Sequence, residues 1–268
     1  MGAGRRARPF AALGNQMKEE TVRVGSASIL GALAALLVSA GIVLAAGYTL
    51  FGDAQIVSPG NNSAHAVQLR SECPGGSAMC FLNNTFTFGG IDFDIPAGTT
   101  FANFQTLATD YKFTEGSCGG GGPRFQLNLE SGTVSGNIFV YIGPPPGYVG
   151  CPPNVYQSTG DLLEGTNLLD TSQLPGGAFY DPYNAALIKY GGYTVTGVQL
   201  VTDGSWSQLG NVQTVHVDNV DIDGTIYTFD QPQTRGECKK GGYEVVTRAD
   251  GSEFKNQGDC IQYFNTGK

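Results

Sequence analysis

NVDIDGTIYTFD, residues 219 to 230, can be read as either of two incompatible structures. By position it is N-x-D-x-D-G, then five residues and an acid. That is one substitution from a helix-flanked calcium loop at its first position, with Asp230 where the closing Glu would stand. By pattern it is two short strands around an Asp-Gly turn, a strong local hairpin signal. The segment that enters it, VQTVHV, is β-branched and alternating and carries no helical stripe. TIYTF, which leaves it, is again strand-forming. The calcium loop needs an entering helix, so the hairpin is the expected structure. One cation reading survives: Asp218, Asp221 and Asp223 holding calcium between strand ends, as in sandwich-type lectins.

The rest of the chain repeats this strand character. RFQLNLES puts Phe125, Leu127 and Leu129 on one face and Gln126 and Asn128 on the other. GNIFVYIG is apolar on both faces, the pattern of a central strand. TFTFGGIDFDIPAG and TVTGVQLVTDG add further segments, with turn residues between each pair. Short alternating strands at this spacing predict an all-β antiparallel sandwich of jelly-roll type over residues 68–230. DPYNAALIKYGG predicts one short helix, with an Asp-Pro start and Gly191 at its end. Composition agrees: of 268 residues only 14% are charged, against 40 Gly and 13 Pro, which suits a turn-rich β protein and not a helical bundle.

Charge and hydropathy place the chain relative to a membrane. SILGALAALLVSAGIVLAAGY (Ser28 to Tyr48) is uncharged and long enough to cross a bilayer as a helix. Five basic residues precede it against Glu19 and Glu20, while from Asp53 onward ten basic face 21 acidic residues, a net charge of −11. This asymmetry keeps the N-terminus cytoplasmic and sends the remainder outside. The expected organisation is a cytoplasmic tail (1–27), a transmembrane signal anchor or signal peptide (28–50), a linker (51–67), the sandwich (68–230) and a C-terminal tail (231–268). The length of the run favours an uncut anchor. Cleavage near Ala45 or Ala54, which would give a secreted protein, is the alternative. An acidic outer domain excludes nucleic acid as a partner.

All six cysteines follow the apolar run, which reads as three disulfides in an oxidising compartment. Nearest-neighbour pairing (Cys73–Cys80, Cys118–Cys151, Cys238–Cys260) keeps each bridge inside one local unit. No C-x-x-C occurs, and His65 and His216 stand alone, so zinc is not indicated. In the tail, Thr234 and Glu237 form a capping box for a short helix. A second helix is expected from Asp250 or Ser252 through EFKNQGDCIQYF, closed by Gly267.

Cys238, Gly241, Gly242 and Tyr243, then Phe254 to Cys260 (FKNQGDC), then Thr266 and Gly267, form a tail motif. It resembles one seen in exported actinobacterial β-sandwich proteins of uncharacterised function. Lys240 stands where that group has Asn. IPAGTTFANFQTLATDY, GGGGPRFQL, IFVYIG and VQTVHVDNVDIDGTIYTF are similar to segments of the same group. The resemblance implies export and a sandwich fold; it assigns no catalytic residue.

Chemistry is sparse in the sequence. There is no G-x-S-x-G and no S-x-x-K. His216 has Asp218 two residues on but no marked nucleophile. Asp92 with Asp94, and Asp221 with Asp223, sit on one strand face at a separation a glycosidase pair tolerates, as solvent-facing strand acids also do. The glycine run after Cys118 lacks the Lys-Ser/Thr of a phosphate loop. No cofactor is indicated beyond the calcium alternative. Tyr148 and Trp206 are the candidate ligand-binding rings, with Tyr141 and Tyr156 nearby. Three roles follow: a non-catalytic surface domain that binds carbohydrate, a structural envelope component whose tail docks to a protein, and a hydrolase using a carboxylate pair.

Overall fold

Side-chain alternation is carried directly into strands. The computed structural model describes residues 47–73, 86–119, 121–165, 167–204 and 212–268. The first sheet has the order β1 (Tyr48–Gly52), β4 (Gly89–Phe93), β11 (Thr194–Val201), β6 (Arg124–Ser131), β7 (Val134–Tyr141). The second has the order β2 (Ala54–Val57), β3 (Ala66–Ser71), β12 (Gln213–Ile222), β5 (Leu107–Glu115), β8 (Gln157–Ser158), with β13 (Thr225–Tyr227) paired to the end of β12. Among the described residues every strand pair is antiparallel, including the short two-stranded sheet of β9 (Leu168–Leu169) and β10 (Asp181–Pro182). From β3 to β6 the chain alternates between the sheets. The inward rows (Leu107, Phe113, Val215 and Val217 on one side; Ile91, Phe125, Leu127, Ile138 and Leu200 on the other) belong to one core and are fully buried. The molecule is therefore an all-β sandwich.

The opening stretch is a hairpin. Ile222 pairs with Thr225, and the two turn residues have positive φ, 55° at Asp223 and 83° at Gly224. Both central residues on the left-handed side is the geometry that an Asp-Gly hairpin turn requires.

Residues 51–67, expected as a linker, are instead built into the sandwich. Asp53 is a corner: its N–H donates to Phe88 O at 2.9 Å beside the first sheet, and its carbonyl accepts from Arg70 N at 3.0 Å in the second. Gly52 makes the corner possible, since its φ is +61° and a Cβ there would lie 2.1 Å from Phe88 O. The segment expected to span a membrane lies outside the described residues up to Ala46. Its final part is strand, because Tyr48, Thr49 and Leu50 belong to β1. A cut near Ala54 would strip β1 from the first sheet, whereas a cut near Ala45 leaves it whole. Among the described residues no helix is long and apolar enough to cross a membrane.

The expected helix after Asp181-Pro182 is α1 (Tyr183–Tyr190), which buries Ala186 and Tyr190. In the tail, the capping-box residues close only a turn. Gln233 N donates to Glu237 Oε2 at 2.7 Å, but the chain reverses at Lys240 and Gly241, both at positive φ (54° and 86°). A single 3-10 turn, Gly242–Glu244, follows. The second helix starts later than expected. α2 (Gln257–Thr266) is capped by Asn256, whose side chain accepts from Asp259 N at 3.0 Å, and Gly267 ends it at φ 75°. The FKNQGDC motif thus has a structural meaning: Phe254 is buried in the tail core, Asn256 is the cap and Cys260 the staple.

Two of the three nearest-neighbour bridges are present, Cys118–Cys151 and Cys238–Cys260. Cys73 is disulfide-bonded, and Cys80, its expected partner, lies outside the described residues. The Cys238–Cys260 bridge closes a loop of sequence separation 22 and contributes about 3 kcal/mol by the chain-entropy account. Tail and sandwich fall in one compact unit. Asp230 links them, accepting from His65 N at 2.8 Å through its side chain and from Thr247 N at 3.0 Å through its carbonyl.

Candidate functional site: a cleft on the outer face of the first sheet

Period-two alternation leaves one row of each first-sheet strand facing away from the core. On β6 that row is Arg124, Gln126 and Asn128; on β7 it is Asn137, Phe139 and Tyr141. The register aligns Asp92, Gln199, Gln126 and Phe139 across four strands, and Val201, Arg124 and Tyr141 in the next row. The amides and the acid hold one another: Gln199 Nε2 donates to Asp92 Oδ1, and Gln126 Nε2 donates to Gln199 Oε1 at 3.1 Å. Planar polar groups fixed in this way are oriented before any ligand arrives.

A cleft of about 540 Å³ opens where this face meets the segments around residues 144–148 and 170–180. Phe139, Tyr141 and Tyr148 line it, and Phe179 and Tyr180 stand at its mouth, 64% and 56% exposed. Arg124 lies on its floor. Its guanidinium sits 4.5 Å over the Phe139 ring, donates to Gly121 O at 2.6 Å and is ion-paired with Asp203. Tyr141 Oη donates to Asp170 Oδ2 at 2.6 Å, and Asp170 also accepts from Ser172 N at 3.0 Å. Burial and the Asp170 contact push the Tyr141 phenol well above its ordinary range, so it remains a protonated donor at neutral pH. The Tyr148 ring packs 5.6 Å from Tyr141, and its hydroxyl donates to Leu168 O at 2.9 Å. The Cys118–Cys151 bridge fixes the loop that carries Tyr148.

The sequence-predicted residues are distributed differently. Tyr148 is in the cleft. Trp206 lies outside the described residues. Asp218, Asp221 and Asp223 are not brought together, and among the described residues no group of three acids, histidines or cysteines is placed to hold a metal. Asp218 is fully buried and already accepts from Asn61 N (2.7 Å), Ser63 Oγ (2.6 Å) and Asn219 N (2.8 Å). Asp221 accepts from Gly224 N at 2.9 Å inside the hairpin turn, and Asp223 accepts from Gln105 N at 3.0 Å. Asp221 and Asp223 are each engaged by a backbone N–H, and Asp218 by two backbone N–H groups and the Ser63 hydroxyl. His216 is half-buried opposite Lys112 and Gln68 on the second sheet, and burial and Lys112 lower its pKa. Asp92 is engaged by Gln199.

Arg124, Phe139, Asp170, Phe179 and Tyr180 were not singled out from the sequence. One signal was there: the second half of β7, from Ile138 to Tyr141, is apolar on both faces, yet β7 is the edge of its sheet and not a central strand. Its outward Phe139 and Tyr141 are apolar because they wall the cleft.

The arrangement offers ring faces beside fixed amide, guanidinium and phenol donors, which suits a ligand with flat apolar faces and hydroxyl edges. Fold and site together define an all-β sandwich with an aromatic, amide-floored cleft on one sheet. No protein-family model matches the chain, and no curated protein or solved structure does.

Proposed function

We propose that this is an extracytoplasmic jelly-roll protein that binds carbohydrate, without turning it over, in the cleft on its first sheet. The observation that carries the reading is the pair of solvent-exposed rings, Phe179 and Tyr180, at the mouth of a cleft whose inner walls are also aromatic. Exposed rings next to preoriented polar groups serve recognition better than stability. The strand orders β3-β12-β5-β8 and β4-β11-β6-β7, with consecutive strands crossing between the sheets except at the β6–β7 hairpin, support the jelly roll. Export is supported by the disulfides and by the apolar segment with its charge asymmetry, which makes the protein a single-pass plasma-membrane protein with its C-terminal domain outside, or a secreted one. Binding without turnover is favoured because the cleft acids are engaged: Asp170 by Tyr141 and Ser172, Asp203 by Arg124.

The test is a glycan array probed with the oxidised protein and with the Phe179→Ala/Tyr180→Ala double variant. The wild type should bind a subset of glycans, and the double variant should lose roughly tenfold or more in affinity, since each ring contact contributes about 0.5–1.5 kcal/mol beyond its burial. Its thermal midpoint should stay within about 2 °C of wild type, because neither ring belongs to the core. Equal binding by the two proteins would remove the cleft from the reading.

A further inference from the structure

We infer that the cleft is one half of a longer groove, and that its ligand is an uncharged, extended oligosaccharide lying across the strands of the first sheet. This rests on the carbohydrate reading above and specifies the ligand. A second depression, of about 460 Å³, lies on the same face toward β1 and shares Arg124 and Asp203 with the first. Its wall is again aromatic. Phe51, at the outer edge of β1, lies flat on the sheet because its neighbour Gly90 has no side chain: a Cβ there would meet the Phe51 ring at 2.2 Å. Phe86 rests on Gly204 in the same manner, at 2.6 Å from where its Cβ would be, and Phe88 meets Phe51 edge-on at 6.3 Å. Two glycines under two rings keep the depression open.

The two aromatic ends are joined by a polar floor, Gln199 and Gln126 held by Asp92 on one row and Arg124 on the next. From β1 to β7 the five strands span about 19 Å, set by the spacing of neighbouring strands. A mono- or disaccharide would fill one end only; a chain spanning both would use rings at each end and amides between them. The floor also selects against charge. The Arg124 guanidinium is already paired with Asp203, Asp170 lines the cleft beside it, and Asp92 sits at the end of the amide row. An anionic glycan would meet uncompensated carboxylates.

The experiment is calorimetric titration of the oxidised full chain with β-1,4-linked glucose, xylose and mannose oligomers of two, four and six units, with oligogalacturonate as the charged control. For the sugar that binds, affinity should rise roughly tenfold or more from two to six units. Phe51→Ala, and independently Phe88→Ala on an exposed ring, should erase that gain. Oligogalacturonate should bind at least tenfold more weakly. Equal affinity at every length, or a gain that survives both variants, overturns the extended groove while leaving the carbohydrate reading intact. Tight oligogalacturonate binding overturns the selection against charge. Absence of binding at every length overturns the carbohydrate reading and the groove with it.

Discussion

Asp218→Ala should unfold at markedly lower denaturant, with a loss of about 3 kcal/mol, because it strips an acceptor from the interior and leaves its donors behind. Asp218 is fully buried, and its two oxygens accept from Asn61 N, Asn219 N and Ser63 Oγ. Ser63 retains an acceptor, since its hydroxyl also lies 3.0 Å from His65 O, but the two amides do not. Each buried unsatisfied donor costs about 1–3 kcal/mol. The neighbouring Asp110 holds the side-chain amides of Asn61 and Asn219 at 2.9 and 2.8 Å, so the loop over the second sheet loosens as a unit.

The same carboxylate gives a pH dependence. Burial pushes Asp218 up to about 6, against the pull of its three donors, and burial also raises Asp230. A carboxyl whose folded pKa exceeds its unfolded value binds its proton more tightly when folded. Stability therefore falls as pH rises from about 4 to about 6 and is flat above. A protonated Asp218 also suits the geometry: it can donate to Ser63 Oγ, which then donates to His65 O. The urea midpoint of the wild type should be higher at pH 5 than at pH 7, and Asp218→Ala should shrink the difference. A midpoint that rises with pH in this window would refute the assignment.

Gly52→Ala is the second large effect. An alanine there would occupy a left-handed conformation, costing about 1–2 kcal/mol. It would also drive its Cβ to 2.1 Å from the Phe88 carbonyl, which is backbone and cannot swing aside. Overpacking adds about 1–3 kcal/mol. A total near 3 kcal/mol, read as a shift in urea midpoint, is expected. Gly98→Ala is the control: it too has positive φ (+86°), but nothing lies near its Cβ, so it should pay only the conformational part.

Local pattern carried most of the fold. The alternation in RFQLNLES became β6, the Asp-Gly pair became the turn after β12, and two of the nearest-neighbour disulfides are in place. What failed locally was overridden by glycine or by length. The Thr234–Glu237 capping box does not form, since Glu237 accepts from Gln233 N instead of Thr234 N, and Gly236, Gly241 and Gly242 stop a helix from propagating. β1 and β2 are five and four residues long and half-exposed, so their edge pairing leaves a weak mark next to Pro59, Gly60 and Asn61. The cleft was hidden for a different reason. Its parts come from β6, β7 and a segment near residue 180, and only sheet register brings them together. Tyr148 was found because its loop is rigid and aromatic on its own. Tyr141 stood out with it as a ring of the same stretch, whereas Phe139 reads from the sequence only as the mark of a central strand.

The most direct test of the account is backbone amide NMR of the oxidised protein during titration with the oligosaccharide it binds. Shifts concentrated at Gln126, Phe139, Ser172, Gln173 and Gln199, with Gln68, Lys112 and His216 unmoved, are the predicted result. Shifts concentrated on the second sheet or in residues 231–268, with the first-sheet face silent, would contradict it.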